Sequence, residues 1–191
     1  SVLSAEIMAP LGQLAGRLAV GLIGPDAQHA AARGSVDSTA ISSEDDLVSW
    51  VNALVPANSS SSTDAGSITV VVGAQGAPGR TRVALALAEK AAESGNATVL
   101  IDTDHEAAGL TFLLGLEGKP SGLKGALQSA RLADIDNEVL RAHSETVKLG
   151  KGTALALSGF VAPGAVGALT PEVYLRLVGA FRSMGYRVIV D

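Results

Sequence analysis

Residues 70–82 read VVVGAQGAPGRTR, an apolar run followed by a glycine-containing loop and a basic segment that opens an alanine- and leucine-rich stretch. This order predicts a strand, a loop and then a helix. Such a junction can hold a phosphate group, because backbone N–H groups and the positive end of the helix dipole converge on one anion. The same residues would also suit a strand-to-helix turn that binds no ligand, since short motifs occur by chance.

The loop departs from the standard phosphate-binding form G-x-x-x-x-G-K-[ST] at two positions. Ala74 stands where that form has its first glycine, and Arg80 stands where it has lysine. Gly79 permits a close approach of the backbone to phosphate, and Thr81 offers a hydroxyl ligand for Mg²⁺. Arg80 supplies a positive charge, but its planar guanidinium is bulkier and more delocalised than a lysine ammonium.

Two later apolar runs end in aspartate. Residues 97–101 are followed by Asp102 and Asp104, and residues 186–190 are followed by Asp191. In open α/β sheets, ligands bind at the carboxyl ends of the strands. We therefore expect Asp102, Asp191 and Thr81 to hold Mg²⁺, and Asp104 and Arg80 to take the catalytic roles of orienting an attacking water and neutralising phosphate charge. Each aspartate alone would equally suit a solvated strand end or a helix cap.

Composition favours an α/β fold with an aliphatic core. Of the 191 residues, 47% are hydrophobic, 17% are charged and only 3% are aromatic. Buried parallel strands have this aliphatic character. The net charge of -5 does not favour a basic nucleic-acid-binding surface, and the absence of cysteine excludes disulfides and thiol catalysis. No apolar run approaches the roughly 20 residues that a membrane-spanning helix needs.

A serine-rich run at residues 56–66 predicts a flexible linker between two parts of the chain. Residues 1–55 alternate helical and strand patterns, with strands at 19–23 and 38–41. Residues 67–191 alternate more regularly, which predicts a parallel sheet built through right-handed crossovers. The predicted strands there are 68–72, 97–101, 153–157 and 186–190, and the predicted helices are 79–94, 108–116, 122–130, 136–143 and 170–184.

The chain resembles the ParA/MinD group of P-loop ATPases, whose deviant loop reads K-G-G-x-G-K-[ST]-T. The eight residues that match this loop, and that the resemblance assigns to cofactor binding, are Gln75, Gly76, Ala77, Pro78, Gly79, Arg80, Thr81 and Arg82. Residues 99–104 match the family's strand that ends in D-x-D. The likeness is closest to the CpaE/TadZ-type branch, which is linked to pilus positioning and to septum-site proteins.

The resemblance implies a parallel-sheet P-loop NTPase over residues 67–191 that ends at its Walker B strand, preceded by a partial, degenerate receiver-like segment over residues 1–55. It implies ATP and Mg²⁺ as cofactors, a homodimer around the nucleotide, and protein partners in a pilus or division machine, with no specific nucleic acid. It also implies a cytoplasmic location that includes peripheral association with a pole, septum or membrane. Because the segments that follow the Walker B aspartate in the family are missing, we expect a fragment.

Gln75 and Arg80 stand where the resembling ATPases carry lysines, and Gln75 has no charge. In the family, the first of these lysines reaches the partner's nucleotide, so the sequence predicts Mg-ATP binding with weak or absent hydrolysis. One alternative is a non-catalytic pseudo-ATPase scaffold. Another is a Rossmann-type NAD(P) oxidoreductase, because an acidic residue follows the loop by about 20 residues, although the glycines do not form G-x-G-x-x-G.

Overall fold

The computed structural model describes residues 20–23, 38–41, 49, 66–72, 79–104, 107–160 and 170–191, which fall into two compact units. The first unit contains β1 (Val20–Ile23) and β2 (Ser38–Ile41), which pair in parallel. Both strands were predicted from the sequence and are confirmed. Apart from helical Ser49, the helices predicted within residues 1–55 lie outside the described residues, as does the predicted linker apart from its last residue.

The second unit contains a five-stranded sheet with helices packed on both faces. The strand order across the sheet is β3-β7-β4-β6-β5, so β7 lies between two strands that precede it in the chain. In chain order, the elements are β3 (Ser67–Val70), α1 (Arg80–Glu93), β4 (Thr98–Ile101), α2 (Gly109–Leu113), α3 (Gly122–Leu132), α4 (Asn137–His143), β5 (Glu145–Leu149), β6 (Gly152–Leu157), α5 (Pro171–Ser183) and β7 (Arg187–Val190).

The sheet is mixed, which corrects the prediction of a parallel sheet. Strands β3, β7, β4 and β6 are parallel, but β5 pairs with β6 in the antiparallel direction. A two-residue turn, Gly150 and Lys151, joins this hairpin, and Gly150 has a φ of 54° in the left-handed region. Tight hairpin turns need such a residue because they require positive φ. Strand β5 was not predicted from the sequence, although buried Val147 and Leu149 alternate with exposed Lys148.

The core is aliphatic on both faces of the sheet. Val99 and Ile101 of β4, together with Val188 and Val190 of β7, belong to one buried cluster with residues of α3 and α5. The intervening β-strand residues point to the opposite face because side chains alternate along a strand. On that face, α1 packs across β4, β6 and β7 through its buried residues, which are Val83, Ala84, Leu87, Ala88, Ala91 and Ala92.

Helix α5 supplies a matched pair of leucines that tests this packing. Leu177 is fully buried in the cluster, whereas Leu175 on the same helix is 62% exposed. We expect Leu177→Ala to lower the free energy of unfolding by about 2–5 kcal/mol, because it removes buried methyl groups and leaves a cavity. Leu175→Ala should change it by less than about 0.5 kcal/mol. Denaturant unfolding measures both, and equal losses would contradict the packing of α5 against the sheet.

Within the segments described, no helix is both long and apolar enough to cross a membrane.

Candidate functional site

The carboxyl ends of β4 and β7 lie side by side and bring two aspartates together. Ile101 pairs with Val190 in the parallel ladder, so Asp102 and Asp191 follow in neighbouring positions. Backbone hydrogen bonds continue the ladder past both strands. The Asp191 N–H donates to the Ile101 carbonyl over 2.9 Å, and the Thr103 N–H donates to the Asp191 carbonyl over 2.9 Å. The predicted strand-end position of these carboxylates is confirmed.

Arg80, the first residue of helix α1, lies at the same edge of the sheet. Its Nε donates to Asp191 Oδ1 over 3.0 Å, and its Nη2 donates to Asp104 Oδ2 over 2.8 Å. A positive charge at a helix N-terminus opposes the helix dipole by about 0.3–1 kcal/mol. Two hydrogen bonds to charged acceptors, each contributing about 1.5–3 kcal/mol, outweigh that cost. The guanidinium is therefore held by the protein's own carboxylates.

The ionisation of Arg80 reflects these contacts. Burial alone would lower the pKa of its guanidinium, but the charges and hydrogen bonds of Asp191 and Asp104 outweigh burial and raise that pKa above its ordinary value.

Gly79, directly before α1, has a φ of 96°, a conformation that favours glycine because it has no Cβ. The chain thus enters the helix through a backbone turn that few other residues could adopt.

Asp102 is buried and serves as an acceptor for three donors. Its Oδ2 accepts from the Thr111 N–H over 2.8 Å and from Thr111 Oγ1 over 2.6 Å, and its Oδ1 accepts from the Asp104 N–H over 3.2 Å. Thr111 Oγ1 in turn accepts from the Gly159 N–H over 2.7 Å. This chain of hydrogen bonds fixes α2 and the segment after β6 to the end of β4.

Gly159 packs directly on the Asp102 side chain. A Cβ atom at this position would lie 2.9 Å from Asp102 Cγ, closer than side-chain carbons approach in proteins. Glycine is therefore required for Asp102 to remain buried beside the segment that follows β6.

Burial raises the pKa of the Asp102 carboxyl, and the nearby charge of Asp191 acts in the same direction. The hydrogen bonds from Thr111 and from the Asp104 N–H stabilise the carboxylate and partly oppose this rise. Asp102 is therefore a carboxyl group that is shielded from water but accepts hydrogen bonds from protein donors.

Asp191 has a different environment. Its side chain is completely shielded from solvent, and only Oδ1 contacts Arg80. Its Oδ2 is buried and has no hydrogen-bond partner within the described structure. A buried carboxylate oxygen without a partner is costly, because it has lost its water and gained nothing in return. This oxygen is suited to contact with a cation or a further donor.

The structure places the remaining candidate residues unevenly. Thr81 is partly buried, and its hydroxyl lies beside Gly109, where an added Cβ would be 3.5 Å from Oγ1. Arg82 is exposed on α1. Gln75, Gly76, Ala77 and Pro78 lie outside the described residues. Among the segments that the structure does describe, no three acidic or histidine side chains form a group that could hold a metal ion by themselves.

Sequence reasoning missed two residues of this site, Thr111 and Gly159. Residues 108–116 were predicted as a helix, but α2 ends at Leu113, and Thr111 lies on its buried side. Its signal is weak, since it is a single polar residue within an apolar stretch. Gly159 lies between Ser158 and Phe160, and its need for glycine becomes visible only once β6 is placed beside β4.

Comparisons of the chain with protein-family models, curated proteins and solved structures gave no match. The function is therefore argued from the site itself.

The raised pKa of Asp102 predicts a pH dependence of stability. A carboxyl whose pKa is higher in the folded than in the unfolded state binds its proton more tightly when folded, so its stabilising contribution is complete below the unfolded value and is lost as pH rises through the folded value. We therefore expect Asp102→Asn to be most destabilising, relative to the parent, at about pH 4, near the ordinary aspartate pKa. The difference in the free energy of unfolding between the two proteins should become smaller towards neutral pH.

Denaturant unfolding of both proteins across this pH range, in Mg²⁺-free buffer, measures the effect. A difference in the free energy of unfolding that stays constant, or that widens as pH rises, would contradict the burial of an ionisable carboxyl at Asp102.

Proposed function

We propose that this chain is a nucleotide-binding protein of the ParA/MinD type that binds Mg-ATP and hydrolyses it weakly or not at all. The observation that carries the proposal is the convergence of the first residue of α1 with aspartates that follow β4 and β7. Arg80 contacts both Asp104 and Asp191 at the carboxyl edge of parallel strands. That edge is where α/β sheets bind ligands.

The chemistry of this edge supports a phosphate and a cation together. The N-terminus of α1 and the Arg80 guanidinium provide positive charge for phosphate. The carboxylates provide oxygen ligands, and Mg²⁺ in nucleotide sites uses one or two carboxylates and completes its shell with phosphate and water. A site with few protein ligands is therefore compatible with the absence of a complete metal-binding group among the described residues.

The resemblance extends the proposal beyond the site. A ParA/MinD-type protein would form a homodimer around the nucleotide and position a pilus or division machine from the cytoplasm or from a pole, septum or membrane surface. Gln75 in place of a lysine leads us to propose weak hydrolysis, because it removes one positive charge and arginine or lysine contacts to the transferring phosphate can contribute about 10³–10⁵ in rate. Arg80 keeps its charge but is bulkier than lysine.

Nucleotide titration tests the proposal directly. We expect the protein to bind ATP and ADP, with higher affinity when Mg²⁺ is present, because phosphate and cation would share the carboxyl edge. Isothermal titration calorimetry on the whole chain, with Mg²⁺ and with chelator, measures this. Absence of binding for both nucleotides at millimolar concentration would contradict the proposal.

A non-catalytic pseudo-ATPase scaffold is the second candidate, and one observation favours it. The Arg80 guanidinium already binds two carboxylates, so a phosphate would have to compete with them. In this alternative, the contacts of Arg80 are structural, and the strand-to-helix junction no longer binds nucleotide.

Restoring the lysines separates the two candidates. The variant that combines Gln75→Lys and Arg80→Lys should gain ATP turnover if the natural site still binds nucleotide in a productive position. Arg187→Lys, at the opposite end of β7 from Asp191, is the matched control and should gain none. Steady-state phosphate release measures both. A restored variant that neither binds nor hydrolyses ATP would favour the scaffold, whereas fast turnover by the parent would contradict weak hydrolysis.

A further inference from the structure

A single cation, the Arg80 guanidinium, pairs with two carboxylates at the carboxyl edge of the sheet. Arg80 bridges Asp104 and Asp191 through different nitrogens, at 2.8 Å and 3.0 Å. Asp102 lies beside them, but its two oxygens already accept hydrogen bonds from Thr111 and from the Asp104 N–H. Asp104 Oδ1 also accepts from the Ala107 N–H over 2.9 Å, and the oxygens that Arg80 contacts are Asp104 Oδ2 and Asp191 Oδ1. A metal ion at this pair of oxygens would therefore compete with the guanidinium.

Asp191 gives a separate reason to expect that a cation other than Arg80 can bind here. Its Oδ2 is buried without a partner, on a side chain with no solvent exposure, beside the oxygen that binds Arg80. A monodentate contact with Arg80 leaves that oxygen uncompensated, whereas a metal ion or a better-placed donor would satisfy it. The carboxyl group thus fits Mg²⁺ by ligand chemistry, since Mg²⁺ prefers carboxylate oxygen.

We propose that Arg80 and Mg²⁺ are alternative occupants of the Asp104–Asp191 pair, so that Arg80 excludes Mg²⁺ until a phosphate group offers the guanidinium another partner. The exclusion itself stands on the geometry of the three side chains. The part played by phosphate rests on the proposed function. Arg80 can exchange partners in this way because its side chain is partly exposed and carries a fork that binds phosphate and carboxylate equally well.

The exchange couples the two ligands. A phosphate that withdraws Arg80 removes the competing guanidinium from the Asp104–Asp191 pair, and Mg²⁺ on those carboxylates leaves Arg80 available for phosphate. By linkage, each ligand then raises the affinity for the other by the same factor. Binding of the cation alone is suppressed, so the site responds to the nucleotide and the metal together.

Mg²⁺ binding without nucleotide tests the exclusion. Isothermal titration of the whole chain with MgCl₂ should show at least about tenfold tighter binding to Arg80→Gln than to the parent, equivalent to about 1.4 kcal/mol. Lys90→Gln is the matched control, because it removes the same charge from the same helix about 15 Å further along its axis. Its Mg²⁺ affinity should stay within about threefold of the parent, or less than about 0.7 kcal/mol.

Two further variants locate the bound ion and guard against misfolding. Adding Asp191→Asn to Arg80→Gln should abolish the gained Mg²⁺ affinity, because it removes the ligand. Should Arg80→Gln fail to fold, as judged by circular dichroism, Arg80→Lys replaces it. Lysine retains the charge but lacks the planar fork that contacts the two carboxylates through separate nitrogens, so that variant should bind Mg²⁺ more tightly than the parent.

The ATP titration in chelator completes the test, because a purely structural role for Arg80 predicts a different pattern. If Arg80 alternates between carboxylate and phosphate, Arg80→Gln gains Mg²⁺ affinity and loses ATP affinity. Equal Mg²⁺ affinity in the parent and Arg80→Gln, no Mg²⁺ binding by either, or a gain that survives Asp191→Asn would each overturn the exclusion. Absence of ATP binding in every protein would instead overturn the proposed function and leave the Mg²⁺ result standing.

Discussion

The contact of Arg80 with Asp104 and Asp191 joins three segments that are distant in sequence: the start of α1, the turn after β4 and the end of β7. Each partner resolves a difficulty of the others. A guanidinium at a helix N-terminus faces an unfavourable dipole, and a shielded carboxylate has lost its water. Brought together, they offset both costs. Removal of Arg80 would leave the shielded Asp191 carboxylate without its cation, which is far more costly than never having had the pair.

A second set of contacts gives this edge its rigidity. Asp102 binds both the main chain and the side chain of Thr111, and Thr111 binds the Gly159 N–H. Among the described residues of the second unit, the buried polar side chains other than Thr98 lie in α2 or directly after β4, β6 and β7; they are Asp102, Thr111, Ser158 and Asp191. Within a polar network whose donors are already matched, charges keep fixed positions. Any ligand that binds there meets groups that need little rearrangement, except at Arg80.

The sequence predicted four of the five strands and the five helices described in the second unit because apolar runs and glycine stops are local signals. It did not predict the order of the strands, since the hydrophobic pattern of β7 contains no information that this strand lies between β3 and β4. It missed β5 because a short, half-charged strand gives little hydrophobic signal. At the site, the strand-end rule correctly placed Asp102 and Asp191 together. The carboxylate partners of Arg80 were not predicted. Alignment with phosphate-binding loops predicts phosphate as the partner of this residue, not the chain's own carboxylates.

The position of β7 between β3 and β4 also governs the order in which the strands of the sheet can pair. The hairpin of β5 and β6 closes through a two-residue turn, and β4 can join β6 as soon as both exist. β3 cannot, because within the described sheet it pairs only with β7, where Ser67 meets Arg187. A chain emerging from the ribosome therefore holds an uncharged strand without its partner until β7 has been synthesised. Such a strand invites pairing with other chains, so the interval before β7 arrives is when a chaperone would matter most.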